Sequence, residues 1–442
     1  MATDSTVIPP PTSGEPPDSG TLVPLGRNRN FQTIWAGSTL SILGLEVADV
    51  GYPLVILLLT GSPGKAGLFA VVQTLCMLLA GLPAGAAVDR YDRRRLLLAG
   101  EGARALVTLG VAVALWQHHL GYGQLLVSAA VLGLVQPLSG TARMVLLRAV
   151  VPKEQLTAAL TRDEMRLAGG ALAGPPLGGI LFGLARLAPF VFTATSFVLS
   201  FLCALSLRLP RAAATAAQPA EKPADTPSES QFAVMLTGVR SLWADPMLRI
   251  TTLLIVVISM IGAPLSLISV VILREQGTPF WEIGVALSGM AIGGMIGATL
   301  IAPLHRRLRP GVLLAGVSLS IVALLAALSL QWGPWWLMGV LLVGSIGLPA
   351  VRVLVDVLIF RQVPDAERGR VISLVMTLFG AGVPLGSGLA GLLLENLSAS
   401  HSMLLLAALL AAILAVALTR RGLYSAQWPA EQPDSEPAAA SA

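Results

Sequence analysis

The sequence predicts an all-α membrane protein in which twelve transmembrane helices form two six-helix repeats. Of its 442 residues, 55% are hydrophobic and only 12% are charged, against roughly 25% charged residues in ordinary soluble domains. So little charge cannot cover the surface of a soluble fold of this size. The apolar residues also form long blocks, several of which reach the ~20 residues that cross a bilayer core. The third observation is an internal repeat, for which the evidence is given below.

Twelve apolar segments, separated by polar ones, are the predicted spans. They cover residues 34–60, 66–88, 96–116, 122–147, 160–184, 188–207, 250–273, 283–303, 312–331, 334–358, 371–394 and 403–419. The fifth is the least apolar at its start, because it opens with the charged run 162–166. We expect that run at the membrane surface rather than inside the bundle.

The polar segments divide the chain into five parts. Residues 1–30 are rich in Pro, Ser and Asp, and residues 420–442 have a similar composition, so we predict disordered tails at both ends. Between them we expect a six-helix bundle over 31–207 and a second over 247–419. The linker 208–246 joins the bundles, and its second part is amphipathic enough to form a helix on the membrane surface.

The distribution of basic residues predicts the orientation. With the N-terminus in the cytoplasm, inner segments hold 23 of the 29 Lys and Arg residues and outer segments hold three. Cytoplasmic loops carry such an excess in membrane proteins. Both termini are therefore predicted to be cytoplasmic, in a multi-pass protein of a bacterial inner membrane. The net charge of +5 follows from this basic fringe and does not indicate binding to nucleic acid.

The two halves repeat each other at the level of residues. The run 97–100, Leu-Leu-Ala-Gly, recurs at 313–316, and the Val-Pro pair at 151–152 recurs at 363–364. Repeats of several spans are typical of secondary transporters, which hold substrate near mid-membrane between the halves. The stretch 61–66 lacks the residues of a phosphate-binding loop. We therefore expect a gradient-driven transporter, not an enzyme, with no cofactor and no metal site.

The loop between spans two and three carries the most specific motif. It contains Gly85, Asp89, Arg90 and then three consecutive arginines, Arg93, Arg94 and Arg95. This run resembles the G-x-x-x-D-R-x-x-R-R-R signature of the major facilitator superfamily, in the form found in its enterobactin-exporter and macrolide-efflux-like branch. The resemblance implies a major-facilitator-type fold.

The same resemblance implies a gate on the cytoplasmic side. Asp89 would latch the two halves there when the transporter faces outward, and Arg143 is a candidate partner for it. Arg90, Arg93 and Arg94 would hold the loop against anionic headgroups. The alternative is that the loop serves only as a topology anchor.

Span five contains a second element that resembles a family motif, the G-x-x-x-G-P-x-x-G-G sequence of drug antiporters and exporters. Glycines four residues apart give a smooth helix face that a neighbouring helix can approach closely, and prolines remove backbone donors. The resemblance implies export, although the same residues also suit a simple packing seam. They are Gly170, Gly174, Pro175, Pro176, Gly178 and Gly179.

Two acids in span one are candidates for proton coupling. Glu46 and Asp49 are three residues apart and so share a helix face. Counted along the helix, Glu46 lies near the bilayer centre, where an ionised carboxylate costs ~2.5–3.5 kcal/mol. Two carboxyl groups at that depth suit proton uptake and release during transport. The alternative is that one of them pairs with a buried arginine.

Few polar side chains within the spans are available to contact a substrate, and they are interspersed with adaptable Met residues. That composition favours a bulky amphiphilic small molecule as substrate. We expect protons as the coupling ion, because of the two acids of span one, and a monomer as the working unit. An importer of a small amphiphile or siderophore and a non-transporting sensor remain alternatives. The candidate cavity residues, which could equally be helix-packing residues, are Tyr52, Gln73, Gln136, Ser196 and Met260.

Overall fold

The computed structural model describes residues 24–207, 246–262, 264–362 and 365–418. Residues 1–23 and 419–442 of the predicted tails, and the linker 208–245 with its amphipathic helix, lie outside the described residues. The described chain contains twelve segments long and apolar enough to cross a membrane. The predicted fold class is therefore confirmed.

The first half contains six helices and a 3₁₀ turn, Lys153–Gln155. Its helices are α1 (Arg29–Thr60), α2 (Pro63–Arg90), α3 (Arg93–Trp116), α4 (Tyr122–Val150), α5 (Leu156–Leu184) and α6 (Ala188–Ser206). The second half reproduces this order with two of its spans divided. Its helices are α7 (Pro246–Gly262), α8 (Leu265–Glu275), α9 (Phe280–Arg307), α10 (Pro310–Leu328), α11 (Pro334–Ser345), α12 (Leu348–Gln362), α13 (Asp365–Asn396) and α14 (Ala399–Leu418).

The seventh and tenth spans are broken, which the sequence analysis did not anticipate. Between α7 and α8 lies Pro264, which has no N–H to continue the helix ladder. Between α11 and α12 lie Ile346 and Gly347, and Pro349 follows in the first turn of α12. Transporters use such discontinuous helices to line substrate sites, because the break frees backbone groups that face a cavity.

The chain before α1 is folded, so the prediction that residues 24–30 belong to a disordered tail is wrong. Leu25 is buried against the start of α1. The Asn28 side chain caps α1 by accepting a hydrogen bond from the N–H of Phe31 at 3.1 Å. It also donates to the carbonyl of Val150 at the end of α4, at 2.9 Å. The polar composition of this stretch thus comes from a helix cap, Asn28, which connects α1 to α4, and not from disorder.

The two halves contact each other at one end of the bundle. We call the end at which α1 begins and α14 ends the terminal face, and the other end the opposite face. At the opposite face, α2 packs on α13 and α5 packs on α9. Gly67 of α2 lies against the backbone of Gly391, and Gly284 of α9 lies against the carbonyl of Pro175. Only residues without a Cβ allow backbones to approach so closely.

Toward the terminal face the contact between α2 and α13 becomes looser. Leu78 of α2 still reaches Gly380 of α13, but a Cβ built on Gly81 or Gly85 meets no described atom within 4 Å. Asp89, at the end of α2, is exposed. The close backbone contacts between the halves therefore lie toward the opposite face.

Within the second half, α9 packs closely on α11 through glycines spaced four apart. Gly289, Gly293 and Gly297 lie directly against the backbone carbonyls of Met338, Leu342 and Ile346, respectively. The neighbouring Gly294 has open space where its Cβ would be. Adjacent glycines of one helix therefore have different roles.

This difference predicts the effect of two single substitutions on stability. Gly293→Ala forces a methyl group into the backbone of α11 and should destabilise the protein by about 1–3 kcal/mol. Gly294→Ala adds the same methyl group in open space and should be neutral or stabilising, since alanine favours a helix. Thermal unfolding of both purified variants measures the difference. Equal melting temperatures would contradict the packing described.

Candidate functional site

The two acids of α1 lie near the middle of that helix, in different environments. Glu46 is half-buried, and its Cβ lies against Gly174 of α5. Asp49, about one turn further along α1, is exposed. The Gln73 side chain of α2 lies near the Asp49 carboxyl. One acid is thus wedged between helices while the other faces an accessible space, with Gln73 beside it.

The glycine seam of α5 places these acids. Gly170 lies against Ile42, Gly174 against Glu46 and Gly178 against the carbonyl of Val47, all on α1. A Cβ at Gly174 would overlap that of Glu46, so any larger residue there would displace the acid. The seam predicted from the sequence therefore positions a candidate coupling group.

The same helix contacts the second half of the protein. Gly179 lies against the carbonyl of Phe280, and Pro175 and Pro176 lie against Gly284 of α9. The helix continues through both prolines. Consequently α5 touches Glu46 on one side and the other half of the protein on the other.

A network of buried ion pairs lies between the acids and the terminal face. Arg104 of α3 donates to Glu101 at 3.2 Å and to the Ser41 hydroxyl of α1 at 3.2 Å. The side chains of Arg104 and Glu101 are 5% and 3% exposed, and the guanidinium of Arg104 lies 5.7 Å from the ring centre of Phe197. This arrangement connects α1, α3 and α6.

The second part of the network corrects two predictions. Asp163 and Arg166 were expected at the membrane surface, but both are buried. Arg143 was a candidate partner for Asp89, but it instead donates to Asp163 Oδ1 at 3.0 Å. Arg166 donates to the same oxygen at 2.9 Å and to the carbonyl of Ser38 at 3.0 Å. The i, i+3 spacing of Asp163 and Arg166 was the available sequence signal for an internal pair.

The loop after α2, which carries the family motif, is anchored by Asp92 rather than by Asp89. Asp92 caps α3 by accepting from the N–H groups of Arg94 and Arg95 at 2.8 and 3.2 Å. The Arg94 guanidinium donates to the carbonyls of Ala204 and Leu205 at the end of α6. Asp92 therefore has a structural function at a position that the motif leaves variable.

The other residues of this loop are at the terminal face. Asp89 is exposed, as expected for an open terminal face. Arg90 lies over the ring of Tyr91 at 5.9 Å, and Arg93 is the first residue of α3. Their gating function stays a prediction.

Each half contains a cavity. The cavity of the first half has a volume of about 190 Å³ and is lined by the ion-pair network together with Gln136. The cavity of the second half has a volume of about 560 Å³. Its wall includes Leu265 and Leu348, each at the start of the helix that follows a break in spans seven and ten. Most of its other wall residues are apolar.

The remaining predicted cavity residues have different positions. Tyr52 is buried in the first half, stacked on Phe69 at 4.7 Å between ring centres, so it cannot contact substrate in this conformation. Ser196 is also buried, against Gly44. Met260 is half-buried beside the second cavity, whose wall includes the preceding Ser259.

With the fold and these sites established, the chain was compared with known proteins. Its sequence matches the family described as "Transmembrane secretion effector" over residues 19–438. The chain belongs to this family of the major facilitator superfamily. It is similar to the multidrug efflux pump Tap of Mycolicibacterium fortuitum, with 29% identity over 411 residues, covering 88% of this chain and 94% of that protein. The enterobactin exporter EntS of Shigella boydii is 26% identical over 377 residues, covering 82% and 84%.

Solved structures agree with the fold. The nucleoside transporter NupG superposes with a TM-score of 0.68 at 13% identity, covering 90% of this chain and all of that chain. A bacterial homologue of ferroportin in an inward-facing state gives a TM-score of 0.63 at 18% identity, covering 89% and 99%. At such identities the likeness concerns the fold alone. The chain is a multi-pass transporter-family protein of the membrane.

The ion-pair network predicts a large difference between two neighbouring acids. Asp163→Asn leaves Arg143 and Arg166 without their shared carboxylate, and breaking such a buried pair costs about 3–5 kcal/mol. Glu164→Gln removes a charge from the exposed neighbouring position and should change stability little. Thermal unfolding in detergent checks both variants. The network would be contradicted if the two substitutions lowered the melting temperature equally.

Proposed function

We propose that the protein is a proton-coupled exporter that expels bulky amphiphilic molecules by alternating access, and that the structure corresponds to its inward-facing state. The observation that carries the proposal is the close contact of the halves at the opposite face, with no such contact around Gly81, Gly85 and the exposed Asp89. An opening on one side only is what alternating access requires of each end state. The proposed working unit is a monomer in the lipid bilayer.

The proposed direction rests on two arguments. The excess of Lys and Arg in segments of the terminal face supports a cytoplasmic terminal face, so the opening would receive substrate from the cytoplasm. The relatives Tap and EntS are named as a multidrug efflux pump and an enterobactin exporter. Both therefore support transport out of the cell, from a bacterial inner membrane.

The proposed proton carriers are Glu46 and Asp49. An ionisable carboxyl in the middle of a membrane span is costly, so its presence there indicates a function by default. Asp49 has access to open space, whereas Glu46 contacts α5, which also touches the second half. Opening and closing of the halves would therefore change the surroundings of the pair, which is the coupling that antiport needs.

The proposed site for the apolar body of the substrate is the cavity of the second half. It is lined by flexible or flat apolar side chains such as Met290, Met376 and Phe379, with Arg352 and Asp356 among the few charged groups. Adaptable walls of this kind accept varied amphiphiles. Gln73 and Gln136 would supply polar contacts from the first half.

The proton-coupling proposal is tested in vesicles with an imposed pH gradient and ethidium as the amphiphilic probe. Glu46→Gln and Asp49→Asn cannot exchange a proton, so gradient-driven ethidium efflux should fall to near background in each. Glu154→Gln, at an exposed position of the loop before α5, is the control and should retain efflux. Full pH-driven efflux by both acid variants would refute the coupling, and ethidium uptake along the same gradient would favour the importer.

The alternating-access proposal is tested with a crosslink at the opposite face. A Cβ at Gly64 would lie 3.5 Å from that of Glu395, within the separation that a disulfide spans. Gly64→Cys with Glu395→Cys, in a chain with Cys76 and Cys203 changed to Ala, should crosslink, stop efflux when oxidised and recover on reduction. The single-cysteine variants are controls. Undiminished efflux by the crosslinked protein would show that transport does not require this face to open, and would contradict alternating access.

A further inference from the structure

We infer that the cavity of the first half binds an anionic group attached to an apolar body, so that the transported molecules include organic anions. The inference rests on the proposed export function for its physiological meaning. The binding itself follows from charge and geometry on α1, α3, α4 and α5. Nothing in the relatives' names or in the family's motifs assigns a ligand to this cavity.

The charges around the cavity do not balance. Arg104, Arg143 and Arg166 line it together with Glu101, and Asp163 completes the cluster through its ion pairs. Three cations therefore face two anions. An unbalanced charge in a membrane interior is costly, and an entering anion would remove that cost. A neutral or cationic group would not.

Arg143 is the one arginine of the cluster that has no carboxylate of its own. Glu101 and Arg104 pair with each other, and Asp163 pairs with Arg166 through Oδ1. Arg143 shares that same oxygen, so a single carboxylate serves two guanidinium groups. The Arg143 side chain is also the most exposed of the cluster, at 22%, whereas that of Arg166 is 2% exposed. It can therefore turn toward a ligand without breaking the deeper pairs.

The cavity also has an apolar floor. Ile42, Leu45 and Leu97 line it. A volume of about 190 Å³ with this lining suits an aromatic or aliphatic carboxylate better than a fully hydrated inorganic anion.

The cavity extends to the open end of the structure. Its lining reaches Thr33 near the start of α1 and Leu207 just after α6, both at the terminal face. The acid Glu46 is not among the lining residues and lies about 7 Å further along α1 than Ser41. An organic anion can therefore enter from the terminal face and reach the arginines before it reaches the acid pair.

Binding is tested on the purified full-length protein in detergent, without any gradient. Calorimetric titrations compare benzoate, its neutral isostere benzamide and inorganic phosphate. Charge-assisted hydrogen bonds to a guanidinium should make benzoate bind at least about tenfold more tightly than benzamide. Benzoate should also bind more tightly than phosphate, because phosphate has no apolar body. Equal binding of benzoate and benzamide, or of benzoate and phosphate, would overturn the inference.

Substitutions on α4 locate the site. Arg143→Gln leaves both deeper pairs intact and should lower the affinity for benzoate at least about tenfold. Arg143→Lys should retain most of that affinity. Arg148→Gln removes an exposed cation from the same helix and should bind like the unmodified protein. Unchanged benzoate binding in Arg143→Gln would overturn the inference. Because the titrations measure no transport, absence of ethidium efflux by the unmodified protein would refute the proposed function without affecting this result.

Discussion

The close approach of the two halves at the opposite face is the contact on which the other features depend. It is made by backbone against backbone, at Gly67 with Gly391 and at Gly284 with Pro175. Glu395 adds a polar component, because its carboxylate accepts hydrogen bonds from the Ser62 hydroxyl at 2.7 Å and the Gly64 N–H at 2.8 Å. This carboxylate of the second half thus caps the N-terminus of α2, where the helix dipole favours a negative charge. Under the proposed function, the helices are held at this end and separate at the other, which opens the terminal face.

The halves also differ in chemistry. Among the described residues, the charged side chains that are fully buried all belong to the first half: Glu101, Arg104, Asp163 and Arg166. The second half instead has two divided spans and the larger, mostly apolar cavity. A bilayer cannot hydrate unpaired charges, so concentrating them in one network lets each charge find a partner. Under the proposed function, the first half handles protons and the charged end of a substrate, while the second half accommodates its apolar body.

Helix α5 connects these two specialised halves. Its glycines admit Ile42 and Glu46 of α1 on one face, while Gly179 and the two prolines contact α9. Small residues are required on both faces, since a side chain on either would separate the packed helices. This double contact explains why glycine and proline are so dense over residues 170–179.

The sequence predicted the span count, the repeat and the seam, because these depend on local composition and short-range spacing. It did not predict how the local pairs join into one network, because the contacts that connect them are far apart in the chain: Ser41 bonds to Glu101, and Arg143 to Asp163. Nor did it distinguish the function of Asp92, which caps a helix, from that of Asp89, which is exposed, because both lie within the same motif. The breaks in spans seven and ten were also missed, because apolar composition continues through Pro264 and Gly347.

The central claim, that the two faces open in alternation, is tested most directly by measuring both faces in one protein. Spin labels at exposed Tyr91 and Arg307 report the terminal face, and labels at exposed Gln117 and Leu397 report the opposite face. Electron–electron distance measurements in nanodiscs, made as the pH is varied to protonate and deprotonate the acid pair, give both distributions. The account predicts that the terminal-face distance shortens as the opposite-face distance lengthens. Distances that change in the same direction, or that do not respond to pH, would contradict it.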